Sequence, residues 1–321
     1  MEWMGRTGGM RTATLAGTLG SLLLLAGCGA APAFTGPSSE GAAHAPHHQA
    51  TGAVRSRPTP TVNHRHTAAP SSRAGAWPAV VQSAMGALSD LPNFRGSFPK
   101  GAEAPRWVPS PASGSYLAVR TSFEPVSATG ALYSVDLYQT PTPLPVNSST
   151  QAILQTGHEL AAFAGYAEPS PSAAQNAYAA IDDYQPWTWN NQPGHAVSLT
   201  PTVTAETYAA SSNLAQVVVW SEAGWDAAVV SQVGAAVATT TAAKVAVYLA
   251  GHSWPNPVTV GSVVVTLRPA DAGGGPLGVR TTVTWMRQAA VYQVSSFSVG
   301  SQPDVRTALH MAESMTPRTV G

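Results

Sequence analysis

Residues 279–299 read VRTTVTWMRQAAVYQVSSFSV, and their pattern decides the fold. Val279, Thr281, Val283 and Trp285 alternate with Arg280, Thr282, Thr284 and Met286, which is the period of a strand. The polar stretch Arg287-Gln288-Ala289 then breaks the run, and Ala290 to Val299 returns with β-branched and aromatic residues, as in a hairpin. Outward from it, Val258 to Leu267 reads as a further strand. Val305, Leu309, Ala312 and Met315 share one face of a closing helix, with Ser301 expected as its N-cap. The preceding segment has the same rhythm. Strands are expected at Val197 to Leu199, Val203 to Tyr208, Ala215 to Trp220 and Trp225 to Ser231, then an Ala-rich helix from Thr240 to Ala250 that stops near Gly251. Further upstream, Tyr116 to Phe123 and Ala131 to Tyr138 form a second hairpin. Helices are expected at Pro78 to Leu91, at Ala152 to Ala164 and at Pro171 to Ile181 behind Ser170. Between Pro92 and Pro111 the prolines oppose regular structure. Strands and covering helices in this order predict an α+β fold, a mainly antiparallel sheet with two related hairpin-and-helix halves.

The chain divides into three. Residues 1–27 carry Arg6 and Arg11, a short apolar run from Thr14 to Leu25 and small residues before Cys28, the only cysteine of the 321-residue chain. A membrane-spanning helix needs about 20 apolar residues, so this run reads as a secretory signal. Leu25-Ala26-Gly27-Cys28 resembles the lipobox of bacterial lipoproteins. The resemblance implies diacylglyceryl attachment at the Cys28 thiol, cleavage before it, and anchoring on the outer face of the cytoplasmic membrane, where each buried methylene contributes about 0.8 kcal/mol. With Cys28 lipidated, the mature chain can form no disulfide, and its stability must come from packing. Residues 28–76 are rich in Ala, Pro, Ser, Thr and His, with no apolar period, and read as a disordered tether. Residues 77–321 are long enough for a full core, with a sub-boundary near 165–195.

Only 10% of the chain is charged and its net charge is zero. Such a surface implies no nucleic-acid partner. A fold resting on few ionised carboxylates also loses little in acid. The tether holds His44, His47, His48, His64 and His66, but a metal site needs ligands at fixed geometry, so no metal is expected there. Arg55, Arg57, Arg65 and Arg73 against Glu40 make it net positive, increasingly so as those histidines protonate, and suited to anionic wall polymers or headgroups.

Candidate chemistry is sparse. Ser97-Phe98-Pro99-Lys100 has the Ser-x-x-Lys spacing of penicillin-recognising enzymes, but Pro99 and Gly101 oppose the helix that pattern requires. No nucleophile elbow, zinc-protease motif or phosphate loop is present, and nothing requires a cofactor. Asp182, Asp183, Glu206, Glu222 and Asp226 are available to a glycosidase without being singled out. Tyr184, Trp187 and Trp189 form the most suggestive group, alternate aromatics beside Asp182 and Asp183 that could stack on a sugar ring or pack into the core. Trp220, Trp225, Trp285 and Tyr292 read as cross-strand core pairs, and His252 as a helix end.

The two Trp-turn-aromatic stretches, residues 217–225 and 281–292, resemble one another. The second, taken with Ala308 to Met315, is similar to the C-terminal domain of unknown function of Firmicute-type extracytoplasmic proteins associated with envelope stress and sporulation. That resemblance carries no catalytic residue and implies a sensing or binding role at the envelope. The expectation is therefore a membrane-anchored, non-enzymatic binding or sensing domain, with a cell-wall polymer or envelope protein as partner. A lipid or lipoprotein carrier with an apolar cavity and a cell-wall or glycan-acting hydrolase are the alternatives.

Overall fold

Pro78 opens the first helix, as its fixed φ and missing N–H allow, and Val81, Ala84, Met85 and Leu88 bury one face of it. The computed structural model describes residues 77–98, 102–125, 130–149, 153, 157–181, 194–209, 216–222, 224–252, 254, 260–270, 275–300 and 304–317. All lie in one compact unit, Ala74–Gly321. Its helices are α1 (Ala79–Ser89), α2 (Phe94–Ser97), α3 (Pro171–Ile181), α4 (Ala235–Gly251) and α5 (Arg306–Glu313). The strands are β1 (Glu103–Pro105), β2 (Tyr116–Pro125), β3 (Ala131–Thr140), β4 (His158–Ala167), β5 (His195–Ser198), β6 (Thr204–Ala209), β7 (Gln216–Glu222), β8 (Trp225–Ser231), β9 (Val260–Pro269), β10 (Leu277–Arg287), β11 (Ala290–Gly300) and β12 (Met315–Pro317). The fold is α+β, as the alternation predicts.

Ten strands form one sheet in the order β2-β3-β4-β11-β10-β9-β8-β7-β6-β5. Every neighbouring pair is antiparallel except β8 and β9, which run parallel and are joined through α4. The hairpins β7–β8 and β10–β11 both close through two residues, between Glu222 and Trp225 and between Arg287 and Ala290. Each turn has a positive φ, 84° at Gly224 and 56° at Gln288, the twist a tight hairpin needs. Each hairpin leads to a helix: α4 packs on β7 and β8, and α5 on β10 and β11. Trp285 faces Tyr292 directly, whereas Trp220 faces Ala227 and not Trp225. Only the first of the two expected aromatic pairs therefore exists.

One face of the sheet, with α1, α4 and α5, holds the main core, which includes Tyr133, Phe163, Val263 and Trp285. An aromatic row crosses this face in register: Phe123, Tyr133, Gly165, Tyr292, Trp285, Gly261 and Trp225. Its two glycines make room for rings. A Cβ on Gly165 would collide with the Tyr133 ring, and one on Gly261 would lie 2.5 Å from Trp225. The Tyr133 hydroxyl donates to the Glu103 carbonyl oxygen at 2.5 Å. The buried Glu103 carboxylate accepts from Arg287 Nη1, also at 2.5 Å. Burial raises the pKa of Glu103 although Arg287 and Tyr292 oppose it. This pair ties the small β1–β12 sheet to the turn of the large one.

On the opposite face, α3 covers one apolar patch of Tyr166, Met286 and Val291 with Ala174 and Tyr178, and Ala118, Tyr138 and Ile153 form a second. The next row is polar: Ser122, Ser134, Gln293, Thr284, Ser262, Asp226 and Ser221, interrupted only by Ala164. Ser221 donates to Asp226 at 2.6 Å and Gln293 to Thr284 at 3.3 Å along it.

Three expectations need correction. Residues 158–164 are strand, not helix. Their alanines favour a helix locally, but they fit between β3 and β11, where pairing on both sides overrides propensity. The proline-rich stretch before Pro111 contains α2 and β1. Met315 belongs to β12 rather than the last helix, and Asp304 holds that helix's first turn, accepting from the Arg306 N–H at 3.0 Å and the Thr307 hydroxyl at 2.8 Å. Ser301 lies outside the described residues. The helix at Pro171 has its expected bounds, and Ser170 Oγ accepts the Ala173 N–H at 3.2 Å. His252 does end α4, with Nδ1 2.9 Å from the Tyr248 carbonyl oxygen.

Candidate ligand-binding cleft

Pairing between β4 and β11 stops short. β10 and β11 pair as far as Leu277 and Gly300, but β4 stays beside β11 only to Ala161 and Ser296. Before that point β4 follows β3 alone, through a register shift between Leu137 and Tyr138 that sets Tyr138 opposite Glu159 and Gln139 opposite His158. Irregularities of this kind re-aim side chains and end pairing locally. Between the diverging strands lies a cleft of about 560 Å³.

Four segments line it. β4 supplies His158, Glu159 and Leu160, and β11 supplies Ser296, Phe297, Ser298 and Val299. Pro109 and Ser110 from the connection after β1, with Asp304 and Thr307 at the start of α5, complete the wall. Because no strand flanks β11 on this side, residues from both faces of the sheet reach the cleft: Phe297 from one, Ser296 and Ser298 from the other.

Two carboxyls near this gap, Glu159 and Asp136, are hard to ionise. Burial raises the pKa of Glu159 against the opposing charge of Arg280, which stands opposite Phe297 on β10. Two residues along β3 from Tyr138, Asp136 is pushed up to about 6 by burial, with the Glu159 charge adding and the Arg120 charge opposing. Arg120 is its direct cross-strand partner. Tyr138 is raised to about 12 by burial and by both carboxylates. Among the described residues the Ser298 hydroxyl oxygen has no hydrogen-bond partner, but it has no exposed surface toward the cleft. The cleft therefore offers a half-buried carboxyl and an aromatic ring.

None of the described residues singled out in the sequence lines this cleft. Cys28, Tyr184, Trp187, Trp189, Asp182, Asp183 and the tether histidines lie outside the described residues. Ser97 ends α2, so no helix carries it toward position 100. Glu206 accepts from the Tyr208 hydroxyl on β6, one strand in from the edge strand β5, Asp226 accepts from Ser221, and Glu222 points to the opposite face from Asp226, so the described candidate acids are not assembled. Among the described residues no group of three or more His, Cys, Asp or Glu could hold a metal ion. Glu159 and Phe297 were obscured because their importance arises where two strands part, and one of those strands reads locally as helix.

No family model matches the chain, and neither a curated protein nor a solved structure matches it.

Proposed function

We propose that the chain is a lipoprotein, held through Cys28 on the outer face of the cytoplasmic membrane, whose folded domain binds or senses a component of the cell envelope in the cleft between β4 and β11. The lipobox-like Leu25-Ala26-Gly27-Cys28 supports the address. The observation that carries the binding reading is the cleft of about 560 Å³ opened by interrupted pairing, with Leu160, Phe297 and Val299 beside the half-buried Glu159 on its wall. Concave sites with apolar walls and a few placed polar groups are the usual form of small-ligand sites. The carrier alternative has less support, because Trp285, Tyr133, Phe163 and Leu249 fill the space between the sheet and its helices.

Native mass spectrometry of the chain from residue 29 onward, after incubation with an envelope extract, tests the binding reading. A retained non-covalent adduct that is lost in F297A supports it. A bare mass after incubation, together with unchanged amide signals from residues 296–299, contradicts it.

One observation favours a hydrolase as a second reading: Asp136, titrating at about 6 beside Glu159, is poised for proton transfer near neutral pH. Release of reducing ends from wall glycan, abolished in D136N, would support it. No release above buffer would reject it.

A further inference from the structure

Resting on the cleft as a binding site, the geometry points to its ligand class: an extended polypeptide segment that pairs with the open edge of β11 at Phe297 and Val299, in the place that β4 gives up. Which main-chain groups face the cleft follows from the register. β10 and β11 close through two residues, with Arg287 opposite Ala290, and the closing pair of such a hairpin bonds to itself. Ala290 and every second residue after it therefore turn their N–H and C=O groups to β10, and the residues between turn theirs to β4. The Ala289 carbonyl oxygen, which accepts the Glu168 N–H at 2.8 Å, has the same parity. Phe297 and Val299 thus direct two N–H and two C=O groups to the side that β4 has left, because its pairing ends at Ser296 opposite Ala161. Among the described residues no strand meets them there. Continued register would set Leu160 opposite Phe297 and His158 opposite Val299, but that stretch follows β3 instead.

An open strand edge is a template for a further strand, and proteins usually cover it. The exposed groups alternate donor and acceptor at strand spacing, which another extended backbone matches and a hydrocarbon chain does not. Taking the place of β4, the added segment runs antiparallel to β11, as β10 and β4 both do. Its residues opposite Phe297 and Val299 then each exchange two hydrogen bonds with that strand. Side chains alternate between the faces. Those of the paired residues lie beside Phe297 and Val299, and the others turn to Ser110, Asp304 and Thr307, so alternation of apolar and polar residues is selected. The cleft of about 560 Å³ is within the size range of small-ligand sites.

The test is a titration of the isotope-labelled chain from residue 29 onward with two capped pentapeptides, carrying valine or phenylalanine at the second and fourth positions and threonine elsewhere, and with an N-acetylglucosamine tetramer. The peptides are expected to shift the amides of residues 158–160 and 296–299 and to slow hydrogen exchange at Phe297 and Val299. N-methylation of the peptide at its second and fourth positions, which removes the donors aimed at β11, is expected to weaken binding about tenfold, and methylation at the third position to weaken it less. V299P, which removes an N–H facing the cleft and leaves the ladder to β10 its bonds, is expected to weaken the unmodified peptides likewise. The methylated peptides read the same contact without altering the protein. Equal weakening by methylation at either set of positions overturns strand pairing. Shifts by the tetramer or by an envelope extract and not by the peptides overturn the peptide assignment while leaving the cleft a binding site. Silence with all of these overturns both readings.

Discussion

The indole of Trp225 on β8 lies over Gly261 on the parallel neighbour β9, where a Cβ would come to 2.5 Å from ring atom Cζ3. The missing side chain lets the aromatic row continue past β9. G261A is expected to destabilise the domain by about 1–3 kcal/mol through overpacking. Gly86, inside α1 with open space at its Cβ position, is the control: G86A is expected to stabilise by about 0.5–1 kcal/mol. Urea denaturation of both variants measures the contrast. A neutral G261A would mean that the ring is not fixed over the glycine.

The Glu103–Arg287 pair predicts a second asymmetry. Removing one partner leaves a buried charge uncompensated, so R287M is expected to cost about 3–5 kcal/mol, while the double variant E103L/R287M is expected to recover part of the loss. A double-mutant cycle by chemical denaturation checks this. Additive losses would show that the two side chains do not act as a pair.

A pH dependence follows from Asp136, with a sign opposite to ordinary acid denaturation. Its carboxyl titrates at about 6 in the folded chain against 3.8 for the free group. Between those values the folded state holds a proton that the unfolded state has released, so stability rises as pH falls from 7 toward 4. Glu103, Glu159 and Glu222 are shifted in the same direction by burial. Melting temperature is expected to be higher at pH 4.5 than at pH 7.5, with Asp136 contributing on the order of 1–2 kcal/mol after allowance for its partial exposure, and D136N is expected to flatten the curve. A wild-type melting temperature that falls over this range would contradict the assignment.

The exposed edge of the sheet gives a further test. Asn147, at φ 60°, donates its N–H to the Val119 carbonyl oxygen at 2.9 Å and accepts the Thr121 N–H on Oδ1 at 2.7 Å, covering the outer edge of β2. N147G preserves the backbone conformation and uncovers the Thr121 N–H. It is expected to promote concentration-dependent association through this edge, measurable by sedimentation velocity. A variant that stays monomeric at high concentration would assign Asn147 a purely local role.

Much of this architecture was legible because strand alternation and turn residues agree with the tertiary result. Trp225–Ser231 and Pro171–Ile181 have the bounds their patterns announce, and the hairpin at Arg287 closes where polarity breaks the run. β4 was not legible, since alanines that fit between two strands also favour a helix and only pairing with β3 and β11 settles the choice. The cleft was hidden for the same reason: Glu159 and Phe297 both line it only because pairing between their strands is interrupted, which no local pattern records. The acid response was partly legible, as scarcity of charge predicted tolerance, but the upward shift of the buried carboxyls needed the fold.

The proposed anchoring through Cys28 is checked by labelling cells with a palmitate analogue. The wild-type chain is expected to carry the label and enter the detergent phase. C28S is expected to do neither, and a labelled C28S chain would place the anchor elsewhere.

The central claim, that the β4–β11 cleft meets envelope material, is tested most directly by a photoreactive residue at Val299, 51% exposed on the cleft wall, with Val247 on α4, 61% exposed, as the control position. After irradiation in intact cells, the cleft position is predicted to carry envelope material identified by mass, and the control position to carry none. Equal labelling at the two positions, or none at Val299, would contradict the account.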